Sequence, residues 1–163
     1  EIVCSMIKAI FAMDEGGGIG KDGTLPWPKN DKDLRWFKTN TTNSTVVMGR
    51  NTWDDPFMPN PLPRRQNVVI TSRGMNVYEN TTTISITDAR SWLSKNSHKN
   101  MFIIGGAKVL NTYWDMIDLF YVSIIHGDFN CDAFIDTHNI KSLESKKILQ
   151  EYNYEGLTLR VIE

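Results

Sequence analysis

Cysteine is nearly absent from this 163-residue chain: only Cys4 and Cys131 are present, and they show no metal-ligand spacing. A reducing, cytoplasmic setting is therefore expected. Basic excess is also missing. The net charge is −1, so nothing argues for neutralising the phosphates of a nucleic acid or an anionic membrane surface. No apolar run reaches the length that spans a bilayer. What remains is a chain with 40% hydrophobic residues, enough to bury the core of one ordinary domain over residues 1–163.

Glycine is concentrated early, and Gly18-Ile19-Gly20-Lys21-Asp22-Gly23 spells G-x-G-x-x-G after an apolar run. A dinucleotide-binding turn of that type must open directly into a helix. Here Pro26 and Pro28 follow almost at once, and each bars its preceding residue from helical geometry. Such a turn also needs an acid about 20 residues on, and Leu34 through Trp53 contains none. The glycines are expected to form a flexible loop instead.

Apolar runs predict strands at about 6–13, 44–49, 67–72, 82–86, 101–105 and 119–126, with two more near 146–153 and 156–162. Helical spacing fits about 31–41, 50–56, 88–96 and 106–116. Buried strands separated by helices imply a single α/β domain with a mostly parallel central sheet, about eight strands flanked by about four helices. The last two strands read as an antiparallel hairpin around Glu155-Gly156.

Five segments carry chemistry. In Asn30–Asn40, Asn30 or Asp31 caps a helix on which Asp33 and Phe37 share a face with Leu34 beside them. An acid on such a face is either partly desolvated or simply a first-turn acid favoured by the helix dipole. Gly49, Arg50 and Thr52 follow a buried strand at a helix start, and Thr71, Ser72 and Arg73 end a second strand. Both are donor clusters that suit a phosphate, or ordinary solvated turns. A third strand runs into Gly105-Gly106, which permits close approach of a ligand or only a tight turn. Finally, Arg64 and Arg65 follow two prolines that hold the chain extended, and a fixed Arg suits a carboxylate.

Taken in order, IGKDGTLPWP, DLRWFK, VVMGRNTW, PLPRRQNVVITS and IIGGAKV make the chain resemble the dihydrofolate reductase family from about Met6 to Asp136. The resemblance implies NADPH-dependent reduction of 7,8-dihydrofolate by a cytoplasmic monomer. It makes Asp33 the active-site acid that binds the pterin, Trp27 the holder of a water beside it, and Leu25 a loop residue at the nicotinamide. Ile10, Phe11 and Ala12 would line the pterin pocket opposite Leu34 and Phe37, with Leu62, Ile104 and Ser123 completing it and Ser123 bonded to the acid. Arg65 would grip the glutamate tail. On the cofactor side the resemblance implies Ala12, Ile19, Gly20, Gly49, Arg50, Asn51, Thr52, Thr71, Ser72 and Arg73. Further along it adds Ile104, Gly105, Gly106, Ala107, Lys108 and Val109, with Gly105-Gly106 joined by a cis peptide and Arg50 selecting the phosphate of NADPH.

The chain departs from the family at three places. Leu110 stands where bacterial members commonly carry Tyr, Arg64 stands where Gly usually precedes the tail-binding Arg, and Gly16-Gly17-Gly18 should favour an open loop. Two other readings remain: a pyrimidine-reductase-type enzyme of similar fold, and a non-catalytic interaction protein with vestigial ligand binding.

Overall fold

Alternation along the strands sorts the apolar side chains into two layers, one on each face of a central sheet. The computed structural model describes residues 5–76 and 78–163, so Cys4 lies outside the described residues. In spatial order the sheet runs β5 (Thr81–Ile84), β4 (Gln66–Ile70), β3 (Thr45–Gly49), β6 (Met101–Gly105), β1 (Lys8–Asp14), β7 (Leu119–Ile125), β10 (Leu157–Ile162) and β9 (Ile148–Tyr154). The first six are mutually parallel, and β10 pairs antiparallel with both β7 and β9. This is the expected mostly parallel sheet with its hairpin at one edge.

On one face Ala9, Phe11 and Met13 bury against α3 (Ile86–Lys95), α4 (Ala107–Thr112) and α5 (Thr137–Glu144), through Ala89, Leu93, Val109, Leu110 and Leu143. On the other face Ile10, Met48 and Phe102 meet Trp36 and Phe37 of α1 (Asp31–Thr41) and Trp53 of α2 (Arg50–Trp53). Burying aliphatic and aromatic side chains on both faces, at about 25 cal/mol per Å² of apolar surface, is the main force holding the sheet between its helices.

One feature of the register creates the site. β1 pairs with β7 along its whole length, from Lys8↔Leu119 to Asp14↔Ile125, but with β6 only at Lys8↔Phe102 and Ala9↔Ile103. Beyond Ala9 the two strands part. A cleft therefore opens at the C-terminal ends of parallel strands, where ligands of open α/β sheets bind.

The structure corrects several sequence expectations. There are five α-helices among the described residues rather than four: α5 was missed because only Ile140 and Leu143 mark its apolar face. α2 stops at Trp53 instead of reaching residue 56, since Asp55 precedes Pro56. The helix expected at 106–116 breaks into α4 and a 3₁₀ turn, Trp114–Met116, with Tyr113 between them at φ −106°, ψ 12°. α3 starts early because the Ser85 side chain accepts from the Asp88 N–H. The glycine-rich segment is no free loop either. Gly18–Gly20 forms β2, antiparallel to β8 (Ala133–Phe134), and Gly17 takes φ +80° against Ile140.

Candidate active site

α1 presents Asp33, Phe37 and Thr41 along one face, toward the layer that contains the cleft. Asn30 caps the helix, its side chain accepting from the Asp33 N–H at 3.1 Å. Asp33 is buried to 9% exposure and has no ion-pair partner among the described residues. Burial pushes its carboxyl above the ordinary carboxylate value, and the neighbouring Ser123 hydroxyl opposes that shift. Ser123 is itself buried and lies beside Ala12 in the β1/β7 register. Trp27, also buried, packs with Ala12 and Trp36 and meets the edge of Phe129 at 5.8 Å between ring centroids.

Arg65 is the second charge in this layer, at 7% exposure and again without a carboxylate partner among the described residues. Its Nε donates to the Pro63 carbonyl at 2.8 Å and its Nη1 to Thr41 Oγ1 at 3.0 Å, while the Phe37 ring lies 6.0 Å away. Burial, with Arg64 next to it, lowers the proton affinity of the guanidinium below its ordinary value, but an arginine of this kind stays charged. Those two bonds fix the fork and leave Nη2 and the second Nη1 hydrogen without an acceptor among the described residues. The supporting turn is tied by Asn67, whose amide bonds Leu62 in both directions and the Arg65 carbonyl. Arg64, in the place expected to suit glycine, takes φ +57°.

Across the cleft, β6 ends in Ile104 and the peptide Gly105-Gly106, which is cis, with Gly105 at φ +134°. A Cβ at either glycine would lie 3.4–3.5 Å from Thr52 Oγ1, so Thr52 stands directly over this backbone. Gly49 is required for a different reason: a Cβ there would lie 2.7 Å from Val109 Cγ2 in the first turn of α4. At the end of β4, Thr71 Oγ1 accepts from the Arg73 N–H. Asp54 binds both neighbouring cations, 3.2 Å from Arg50 Nε and 3.7 Å from Arg73 Nη2. Two guanidinium groups thus share one carboxylate, which leaves a positive balance beside exposed Asn51 and Ser72.

Not every candidate faces the cleft in the same way. Phe11 turns its side chain into the opposite layer, 6.1 Å from Trp114 between ring centroids, so only its backbone borders the cleft. Leu110 is fully buried in that same opposite layer. Leu25 and Leu34 are exposed, Leu62 is buried beneath the Arg65 turn, and Ile19 and Gly20 lie in β2, half-buried. Ala107 and Lys108 open α4 at the surface. Sequence reasoning missed Thr41 and Asn67, which hold Arg65. Thr41 carried a signal, since it continues the four-residue spacing of Asp33 and Phe37. A groove of about 260 Å³, lined by apolar residues such as Val122 and Ile124 together with Glu15, Glu144, Lys146 and Arg160, lies on the face away from Asp33 and contains none of these residues.

A parallel sheet with a splayed pair of strands, a buried acid on one helix face, a buried cation bonded to that same helix, and a glycine pair opposite them form the cleft of an α/β enzyme. The family model described as dihydrofolate reductase matches residues 6–157, and the chain belongs to that family. Dihydrofolate reductase of Bacillus subtilis (strain 168) is 34% identical, over 93% of this chain and 92% of that protein. The solved structure of dihydrofolate reductase from Enterococcus faecalis, complexed with NADP(H) and RAB-propyl, superposes with a TM-score of 0.77 at 27% identity, covering 97% of this chain and 95% of that one. Segregation and condensation protein A of Mycoplasma pneumoniae is 27% identical over 91% of this chain, but the match covers only 28% of that longer protein.

Proposed function

We infer that this chain reduces 7,8-dihydrofolate to tetrahydrofolate with NADPH. One observation carries the reading: Asp33 and Arg65 are buried charges of opposite sign in one apolar layer, and neither pairs with an opposite charge among the described residues. Leaving a charge buried and unpaired is costly, so each implies an external counter-charge. Thr41, which holds Arg65, stands two turns from Asp33, roughly 12 Å along the helix. A ligand with a cationic ring at one end, an anionic carboxylate at the other and an aromatic linker over Phe37 meets both demands. Dihydrofolate has that form.

The cofactor side fits NADPH by its donors: the Gly105-Gly106 backbone has no side chains of its own and only the Thr52 hydroxyl beside it, and Arg50 with Arg73 outnumber their shared acid. Bound there, NADPH supplies the hydride for pterin C6. Asp33 holds the amino group and ring nitrogen of the pterin and stabilises cationic character in the ring. Trp27 and Phe37 wall the ring from bulk water, Arg65 fixes the tail, and a water beside Trp27 brings the proton to N5. Arg50 holds the extra phosphate that distinguishes NADPH from NADH.

The chain is further proposed to act as one domain, as a monomer and in the cytoplasm; two cysteines without metal-ligand spacing suit a reducing setting. No described helix is long and apolar enough to cross a membrane. The test is nicotinamide absorbance: it should fall only when NADPH and dihydrofolate are both present. Binding of both without turnover would instead favour a non-catalytic interaction protein.

A further inference from the structure

Asp14, the last residue of β1, has no part in the reading above, yet it is exposed to only 2%. Its Oδ1 accepts from the Gly16 N–H at 3.0 Å and from the Gly18 N–H at 2.8 Å. Its Oδ2 accepts from the Phe129 N–H at 3.2 Å and from the Cys131 thiol at 3.5 Å. One carboxylate thus joins two chain segments that are distant in sequence. The fit is close: a Cβ at Gly18 would lie 2.5 Å from Cys131 Cβ and Sγ. Further backbone bonds run alongside, from Asp132 N to the Gly20 carbonyl at 2.9 Å and from Ile135 N to the Gly17 carbonyl at 3.0 Å.

We propose that Asp14 is a positioning residue whose carboxylate clasps the glycine-rich segment to residues 129–131 and thereby sets where Ile19, Gly20 and Trp27 stand at the cleft. The inference rests on the NADPH reading for its functional readout. Gly16 and Gly18 precede Ile19 and Gly20 directly. Phe129, whose N–H binds Asp14, meets Trp27 edge-on at 5.8 Å. The clasp therefore acts on both ends of the segment that includes Leu25. Burial alone would raise the Asp14 carboxyl, but the bonds from Gly18, Phe129, Cys131 and Gly16 outweigh it and hold the group below its ordinary value. Burial, and after it the same contact with Asp14, pushes the Cys131 thiol up to about 11, so the sulfur stays a protonated donor to Asp14 at neutral pH. Three glycines in a row would otherwise leave this segment free to sample many conformations. The clasp removes that freedom before any ligand arrives.

Two measurements on Asp14→Asn test this. In the ligand-free protein, amide hydrogen exchange at Gly16, Gly18 and Phe129 should accelerate while the amides of β7 keep their protection. In binding, the Kd for NADPH should rise about tenfold, the scale of losing charge-assisted bonds, while that for adenosine 2′,5′-bisphosphate, which lacks the nicotinamide, stays within about twofold. Gly18→Ala, whose Cβ would lie 2.5 Å from Cys131 Cβ and Sγ and 3.1 Å from Asp14 Oδ1, crowds both partners of the clasp and should give the same split. Unchanged exchange at the three amides overturns the clasp. Equal weakening of both ligands reduces Asp14 to a general structural residue and overturns its positioning role. Faster exchange in a protein whose parent form binds no NADPH would instead keep the clasp, overturn its role toward the nicotinamide and remove the cofactor reading.

Discussion

Arg65 leans on Thr41: its Nη1 donates to the Thr41 hydroxyl at 3.0 Å, and that hydroxyl in turn donates to the Phe37 carbonyl at 2.8 Å. A flexible cation is thereby tied to the helix that carries Asp33. The two charges become parts of one rigid element, which is what a ligand with two charged ends requires.

Removing that cation should separate the two ends of the substrate. In Arg65→Ala the affinity for dihydrofolate should fall by about 2 kcal/mol, the loss of a bidentate charge-assisted contact. A pterin without the glutamate tail should bind as before. Isothermal titration with both ligands checks this, and equal losses would remove Arg65 from the tail site.

Arg50 and Arg73 share Asp54, so each has charge left for a phosphate. Arg50→Ala should weaken NADPH by about 1–2 kcal/mol, the range of a hydrogen bond to a charged group, and leave NADH nearly unchanged. Fluorescence titration with the two cofactors decides it. A variant that loses both alike would make Arg50 structural, and one that keeps its full preference for NADPH would transfer the role to Arg73.

Asp33→Asn should be more stable than the parent at pH 7. Burial raises the folded-state pKa of Asp33 above its unfolded value, so ionising it costs more in the folded chain. The parent has its full stability below the unfolded pKa of about 3.9 and loses this part of it as pH rises through the raised folded value. The variant has no such loss. Thermal melts from pH 4 to pH 8 should show a gap in favour of Asn that opens with rising pH, and a constant or reversed gap would mean the carboxylate is stabilised by a partner.

Much of this was legible from local pattern. α1 has its Asn30 cap, first-turn acids and four-residue spacing written in order, and it spans the residues expected of it. The parallel strands stand out as buried runs between helices. The splay of β1 from β6 was not legible, because pairing that stops after Ala9 leaves no mark in either strand's composition. Strands as short as β2 and β8 show no period at all, and of the glycines that suggested a loose loop, Gly17 and Gly18 are crowded by Ile140 and Cys131. Arg64 shows the reverse case, a side chain accepted at φ +57° where glycine was expected. Long-range contacts such as Arg65 on Thr41, or Asp14 on Phe129, become visible only once the chain is folded.

The most direct test of the account is the rate of NADPH oxidation with dihydrofolate, from pH 5 to pH 8, for the parent and Asp33→Asn. Asparagine keeps the shape and one acceptor but loses the charge that stabilises a protonated pterin. At pH 7 the rate should fall by about 10²-fold or more, the scale of positioned acid–base help. The deficit should shrink toward pH 5, where solvent protonates the substrate before it binds. A variant within about threefold of the parent at pH 7, or a deficit that does not change with pH, would contradict the role of Asp33.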